Sequence, residues 1–496
     1  MTRRLAVLLA LALAGCATAR SSGAGAAHEQ ALPQASSLPE GPDRDALEAA
    51  QAHEAKGDAA GAAHDQARAE WAAAGTGYSE LAGRPALAEW RAPLRYRSAD
   101  VLLRAQRWDQ AGEVAGALAA DDKASEAARA GGARLAASAT IGAANAAVRA
   151  GQLEKLDLGP ERKDGPRPPP PAWRRVVESA DAYLARAGAD PEAGRAPAGR
   201  PPSGPQIALA AAEVQYAYGE LDDARRRLDA ALDRWPSDPE LLEQVAPLYL
   251  ATYSARGDRA GQLAAVDKLR ARAEAEAAKA PADRKPAFVK VQDGLTRSRA
   301  SALFGQGEQL LADKKPAEAA QAFEAAAAVG GPDTASALHN AAVAWDQAGE
   351  PQRAAAVRER LLRDYPEAPV TAEDVLRLAA QRSRQGDHAN AARLYGEFLR
   401  RWPDSPSRCV ALRNVASELD QADQVTDAAA RYLAFGKDAR CAKADPSIAA
   451  RALIRAGRIY DAEAKDAYGA ATSIEGITDP DVKAQVSDAK KRLKGL

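Results

Sequence analysis

The chain has 496 residues and a formal net charge of −1, with charged residues at 27%, so there is no surplus of cations to suit a polyanion such as nucleic acid. Five Phe and one Met are too few for a conventional large core, so alanine must supply most of the buried surface, which suits closely paired helices. A chain of this length can still be one body if it is built from stacked units that touch only their neighbours.

The N-terminus reads MTRRLAVLLALALAGCATA, with Arg3 and Arg4 ahead of an apolar run, Leu5 to Leu13, that is too short to span a bilayer as a mature helix. Leu13, Ala14, Gly15 and Cys16 resemble the bacterial lipobox. That resemblance implies a signal peptide over residues 1–15 and diacylglyceryl plus N-acyl lipid on Cys16, the first residue of the mature chain. An ordinary signal peptide with a chance cysteine is the alternative. Two or three acyl chains, at about 0.8 kcal/mol per buried CH₂, make a lasting anchor. Ala17 rather than an aspartate follows, which by the same resemblance implies the outer membrane with the chain facing the periplasm. Residues 16–42 are rich in Ala, Ser, Gly and Pro and read as a flexible tether.

Over residues 43–158 the helical spacing is present but irregular; EAKGDAAGAAHDQA around Ala62 and AQRWDQAGEVAGAL around Ala111 read as degenerate copies of a unit that is clearer further on. Residues 159–205 interrupt it. Four consecutive prolines, Pro168 to Pro171, require extended chain, a second Pro- and Gly-rich stretch ends near Gln206, and one helix is expected over 174–187 between two exposed loops.

From residue 206 to 496 a repeat takes over. Gly219, Ala224, Leu232, Trp235, Pro236 and Pro239 match Gly349, Ala354, Leu362, Tyr365, Pro366 and Pro369, and again Gly386, Ala391, Leu399, Trp402, Pro403 and Pro406. In the third copy Ala391, Leu394, Tyr395, Phe398, Leu399 and Trp402 keep the three-and-four spacing of one helical face. The proline after each aromatic ends that helix, the second proline suits the first turn of the next with Asp238 or Ser405 as its cap, and the glycine turns the chain between paired helices. Each unit therefore reads helix, Gly turn, helix, Pro turn.

These residues resemble the tetratricopeptide repeat (TPR), with Ala319, Ala354, Ala391 and Ala428 in the place of its small residue in the second helix and Phe323, Tyr395 and Tyr432 four residues on. The implied fold is all-α, an α–α superhelix after the signal peptide and tether. Its groove, by the same resemblance, is lined by His339, Val343, Asp346 and Gln347, then Glu373, Leu376, Ser383 and Arg384, then Arg413, Ser417, Asp420 and Gln421. That mixture of charges and amides suits an extended peptide or a partner's helix better than a small molecule. Asn340 and Asn414 stand where some peptide-binding members use asparagine on a ligand; a structural role is the other reading. In this frame Cys409 and Cys441 fall at the same end of one helix pair, so a disulfide is expected, with two buried thiols as the alternative.

Five histidines, His28, His53, His64, His339 and His388, lie far apart, and no zinc-protease, CxxC, P-loop or nucleophile-elbow spacing occurs. A non-catalytic protein without metal or cofactor, apart from the lipid on Cys16, is expected. The layout is similar to the TPR lipoproteins of bacterial gliding-motility complexes and to shorter ones of outer-membrane protein assembly. Two readings follow: an envelope scaffold that binds other envelope proteins, or an accessory of cell-wall or polysaccharide-secretion enzymes.

Overall fold

The computed structural model describes residues 32–61, 65–159, 165–194, 202–459 and 464–495. Among them are 22 α-helices and no strand. The signal peptide, Cys16 and the first part of the tether lie outside the described residues.

Helices pack as consecutive antiparallel pairs. In the first compact unit, Met1–Leu295, the pairs are α1 (Pro42–Ala60) with α2 (Asp65–Ala82), α3 (Arg91–Arg104) with α4 (Trp108–Ala119), and α5 (Glu126–Arg149) with α6 (Pro171–Leu184). Two more follow, α7 (Gly204–Ala217) with α8 (Leu221–Arg234) and α9 (Pro239–Ser254) with α10 (Arg259–Lys279). The second unit, Thr296–Leu496, begins inside α11 (Lys285–Ala312) and continues with α12 (Pro316–Val329), α13 (Thr334–Gln347) and α14 (Pro351–Asp364). It goes on through α15 (Thr371–Arg384), α16 (His388–Arg401), α17 (Arg408–Gln421), α18 (Val425–Lys437) and the short α19 (Ala439–Ala444). It ends with α20 (Pro446–Ile459), α21 (Ala464–Thr472) and α22 (Pro480–Gly495). Each unit is a TPR-like stack of helix pairs. The compact units divide at Leu295, whereas the sequence reading opens the solenoid at 206, because helix pairing runs on through the Pro-rich interruption.

The turn inside a pair needs one residue in the left-handed region, which glycine enters without a Cβ penalty. Gly219, Gly349 and Gly386 occupy it with φ of 85°, 75° and 78°. In the weaker copies the corresponding turns are made by Gln106, Lys314 and Asp423, at φ 59°, 61° and 58°. The architecture is therefore the same where the glycine signal is missing. Leaving the second helix, Trp235, Tyr365 and Trp402 are C-caps with φ of −122°, −135° and −124°, and the following proline cannot resume the helix. Trp402 packs on Phe398, ring centroids 5.5 Å apart, at the edge of a core made by Ala391, Ala392, Leu394 and Tyr395. Asp238 caps α9 as expected, accepting from Leu241 N at 2.9 Å. Ser405 does not cap α17: that helix starts at Arg408, beyond Pro406, and the Ser405 hydroxyl accepts instead from Ser407 N within the turn.

The described parts of the interruption are tied to the helices around them. Its helix runs Pro171–Leu184 rather than 174–187, since proline is tolerated in a first turn. The extended segment before it is exposed yet tied down, with Arg167 N donating to Tyr218 O at 3.0 Å and the Arg167 guanidinium 5.2 Å over the Tyr218 ring. A Cβ on Gly219 would come within 2.9 Å of Pro166 Cα, so the same glycine serves both the turn and this close approach. On the other side of α6, Arg134 of α5 is buried and paired with Asp190 at 2.9 Å and with Glu192 at 2.5 Å.

Candidate functional site

The face formed by the first helices of the second unit, α13, α15 and α17, carries the predicted groove residues. Side-chain partners divide them into two groups.

The first group is committed to side chains of other helices. His339 Nδ1 donates to Asp374 Oδ2 at 2.6 Å, from α13 to α15. Ser383 Oγ donates to Glu418 Oε1 at 2.7 Å, from α15 to α17. Asp420 accepts from Arg455 Nη2 and Nε at 2.7 and 2.8 Å, from α17 to α20. Each pair is separated by 35 residues, one repeat. Asp346 Oδ2 accepts from Arg358 Nη2 at 2.5 Å. His339, Ser383 and Asp420 fasten one repeat to the next, and Asp346 ties together the two helices of its own pair.

Arg358 is the residue sequence reasoning missed, and it could have been noticed by a departure from pattern. It stands where Phe323, Tyr395 and Tyr432 stand in the other copies. Its side chain is 1% exposed, as is that of Asp374, to which Nε donates at 3.0 Å. Asp374, Glu418 and Arg455 were missed as well; a polar complement one repeat ahead of each groove residue was their only signal. The network holds two carboxylates, Asp346 and Asp374, against one guanidinium. The hydrogen bond to Asp374 accordingly raises the His339 pKa, outweighing burial, with Glu373 adding to the pull.

The second group stays open to solvent or pairs within its own helix. Gln347, Arg384 and Gln421 are exposed, and Val343 and Ser417 are half-buried. Leu376 is half-buried against the core beneath α15 and α16. Glu373 accepts from Arg377 at 2.6 and 2.8 Å, which holds its carboxyl below the usual range. Arg413 Nε and Nη2 donate to Asn414 Oδ1 at 3.3 Å.

Cys409 of α17 and Cys441 of α19, just beyond the end of α18, form a disulfide, Cα atoms 5.3 Å apart. Among the described residues these two cysteines and Asp438 form the one group of possible metal donors, within 4.8 Å of one another. The sulfurs are spent on the disulfide and Asp438 Oδ1 accepts from Arg440 N and Cys441 N, so the chemistry there is that of a staple and a helix cap. No described helix is long and apolar enough to cross a membrane.

No family model matches the sequence, and no curated protein matches it. Among solved structures it is similar to the C-terminal part of a TPR repeat-containing protein from Cytophaga hutchinsonii, at 12% identity over 55% of this chain and 98% of that one, TM-score 0.29. Yeast Tom70 matches at 13% identity over 90% and 96% of the two chains, TM-score 0.24, and the TPR2AB-domain:pHSP90 complex of yeast Sti1 at 14% over 58% and 98%, TM-score 0.27. TM-scores this low carry no argument of their own. The helix-pair architecture rests on the turns and packing described above.

Proposed function

We propose that this protein is a non-catalytic scaffold, anchored in the outer membrane by lipid on Cys16, that holds other proteins of an envelope machine against its helix-pair stack. Support comes chiefly from the first-helix face of the second unit. Its acidic groups lock repeat to repeat, which makes a preorganised surface, while Gln347, Arg384 and Gln421 remain exposed along it. A rigid surface with exposed polar side chains suits recognition of an extended segment, since little ordering entropy is lost on binding. The machine is proposed by sequence-level likeness to gliding-motility lipoproteins. The disulfide between Cys409 and Cys441 agrees with an oxidising compartment.

The test has two parts. Metabolic acyl labelling and membrane fractionation of wild type and Cys16→Ser should show label and membrane association lost together. Cross-linking followed by co-purification from wild-type cells should capture motility or outer-membrane barrel proteins. Capture of cell-wall synthases or hydrolases transfers the protein to the accessory reading, and capture of nothing refutes the scaffold.

A further inference from the structure

We propose that the first unit binds an uncharged saccharide chain in a cleft walled by Trp235, where the end of α8 meets the starts of α7 and α9. The inference uses none of the residues on which the scaffold reading rests and goes beyond it.

The repeat supplies an internal comparison. Trp402 is mated to Phe398, with ring centroids 5.5 Å apart. Trp235 holds the same position in its own copy, but the residue four before it is Ala231, so that ring partner is missing. Trp235 packs against the core of α7 to α10, stays half-buried, and lines a cleft of about 550 Å³. That volume is in the usual range of ligand sites and larger than one pyranose ring, which favours a chain of them. Gly204 fixes the place of the indole: a Cβ there would come within 2.5 Å of Trp235 Cζ2, so only glycine lets the ring lie against the first turn of α7.

Three side chains around this wall have open hydrogen-bonding groups. Trp71, Trp173 and Trp345 donate their indole N–H to Asp58, to the Glu154 carbonyl and to Glu324, whereas Trp235 Nε1 has no partner among the described residues. Gln206 Oε1 accepts from Ser203 N at 3.0 Å, which leaves its NH₂ group open. Gln244 is half-buried, and its side-chain amide has no protein partner among the described residues. The charged residues lining the cleft, among the described ones, are Asp238, Glu240 and Arg284; Glu240 and Arg284 pair at 3.2 Å, and Asp238 caps α9.

These groups select an uncharged polyol. The one charge without an opposite is the carboxylate of Asp238, so an anion is repelled. A lysine or arginine side chain carries donors only and would set them against the N–H groups of Trp235, Gln206 and Gln244. A hydroxyl both donates and accepts, and so satisfies the indole, the amides and the carboxylate alike. A pyranose adds a flat array of C–H groups, which suits the electron-rich face of an indole.

The experiment is isothermal titration calorimetry of the full chain with N-acetylchitohexaose, cellohexaose and maltohexaose, and with hexalysine and a galacturonate hexamer as charged controls. At least one neutral hexamer should bind, and more tightly than either charged one. Trp235→Leu should weaken it about tenfold or more, the worth of one aromatic contact. Trp235→Phe keeps the ring and loses the N–H, and Gln244→Ala loses one amide; each should weaken binding about threefold. Gln206→Glu keeps the acceptor for Ser203 N and removes the donor, so its loss of affinity, again about threefold, does not come from a broken helix cap. Trp402→Leu, at the equivalent position of the second unit, should leave affinity unchanged. Failure of all three neutral hexamers to bind at millimolar concentration overturns the proposal, as does binding that survives both Trp235→Leu and Gln244→Ala undiminished. Tighter binding of a charged hexamer, lost in Trp235→Leu, also overturns it and assigns the cleft to an ionic ligand.

Discussion

Arg358 offers the sharpest test of how the second unit is held together. Replacing it with methionine keeps most of the volume but removes bonds of 3.0 Å to Asp374 and of 3.3 and 2.5 Å to Asp346. Asp346 can turn to water, since its side chain is 34% exposed, but Asp374 at 1% cannot. Breaking a buried pair and stranding one charge costs about 3–5 kcal/mol. In a body of some 200 residues, a change of 1 kcal/mol shifts the midpoint by about 2–4 °C, so the second unit should melt about 6–20 °C lower. Two units need not melt together, so calorimetry should be read with hydrogen exchange, which should show amides of α13, α14 and α15 opening first. Arg358→Phe with Asp374→Leu restores the apolar arrangement of the neighbouring copies and should recover most of the loss. His339 adds a pH signature. Its pKa is raised in the folded chain, so its contribution is fully present below the unfolded value near 6.5 and disappears as pH rises through the folded value. In Arg358→Met, His339 is the remaining partner of Asp374, so destabilisation should be greater at pH 8 than at pH 5.5. A melt of Arg358→Met within about 2 °C of wild type at pH 8 would refute the buried network.

The left-handed turns give a prediction of opposite sign: Lys314→Gly and Gln106→Gly should each stabilise the chain by about 0.5–1 kcal/mol, measured by urea unfolding, because φ of 61° and 59° strains a residue with a Cβ. The disulfide spans 32 residues, for which loop closure in the unfolded chain is worth about 3–4 kcal/mol. Cys409→Ser with Cys441→Ser should lower the stability of the second unit by that order, and the wild-type chain in denaturant should take up no thiol label from either cysteine before reduction.

Much of the fold could be read before any coordinates. Helix spacing, the turn glycines and the aromatic–proline ends are local features, set by backbone sterics within a few residues, and the sequence alone carried them at Gly219, Gly349 and Gly386. It was less informative at Gln106, Lys314 and Asp423, where packing imposes the same turn on residues that do not prefer it. What the sequence could not settle was which polar side chains meet. His339, Ser383 and Asp420 look like groove residues from their helical position, but each is used up by a residue one repeat away. Arg358 looks like a defect in the pattern and is instead the buried hub of two carboxylates. Such pairings depend on how neighbouring helices are set side by side, a long-range geometry that no local preference encodes, so only the tertiary structure decides which charges are spent inside.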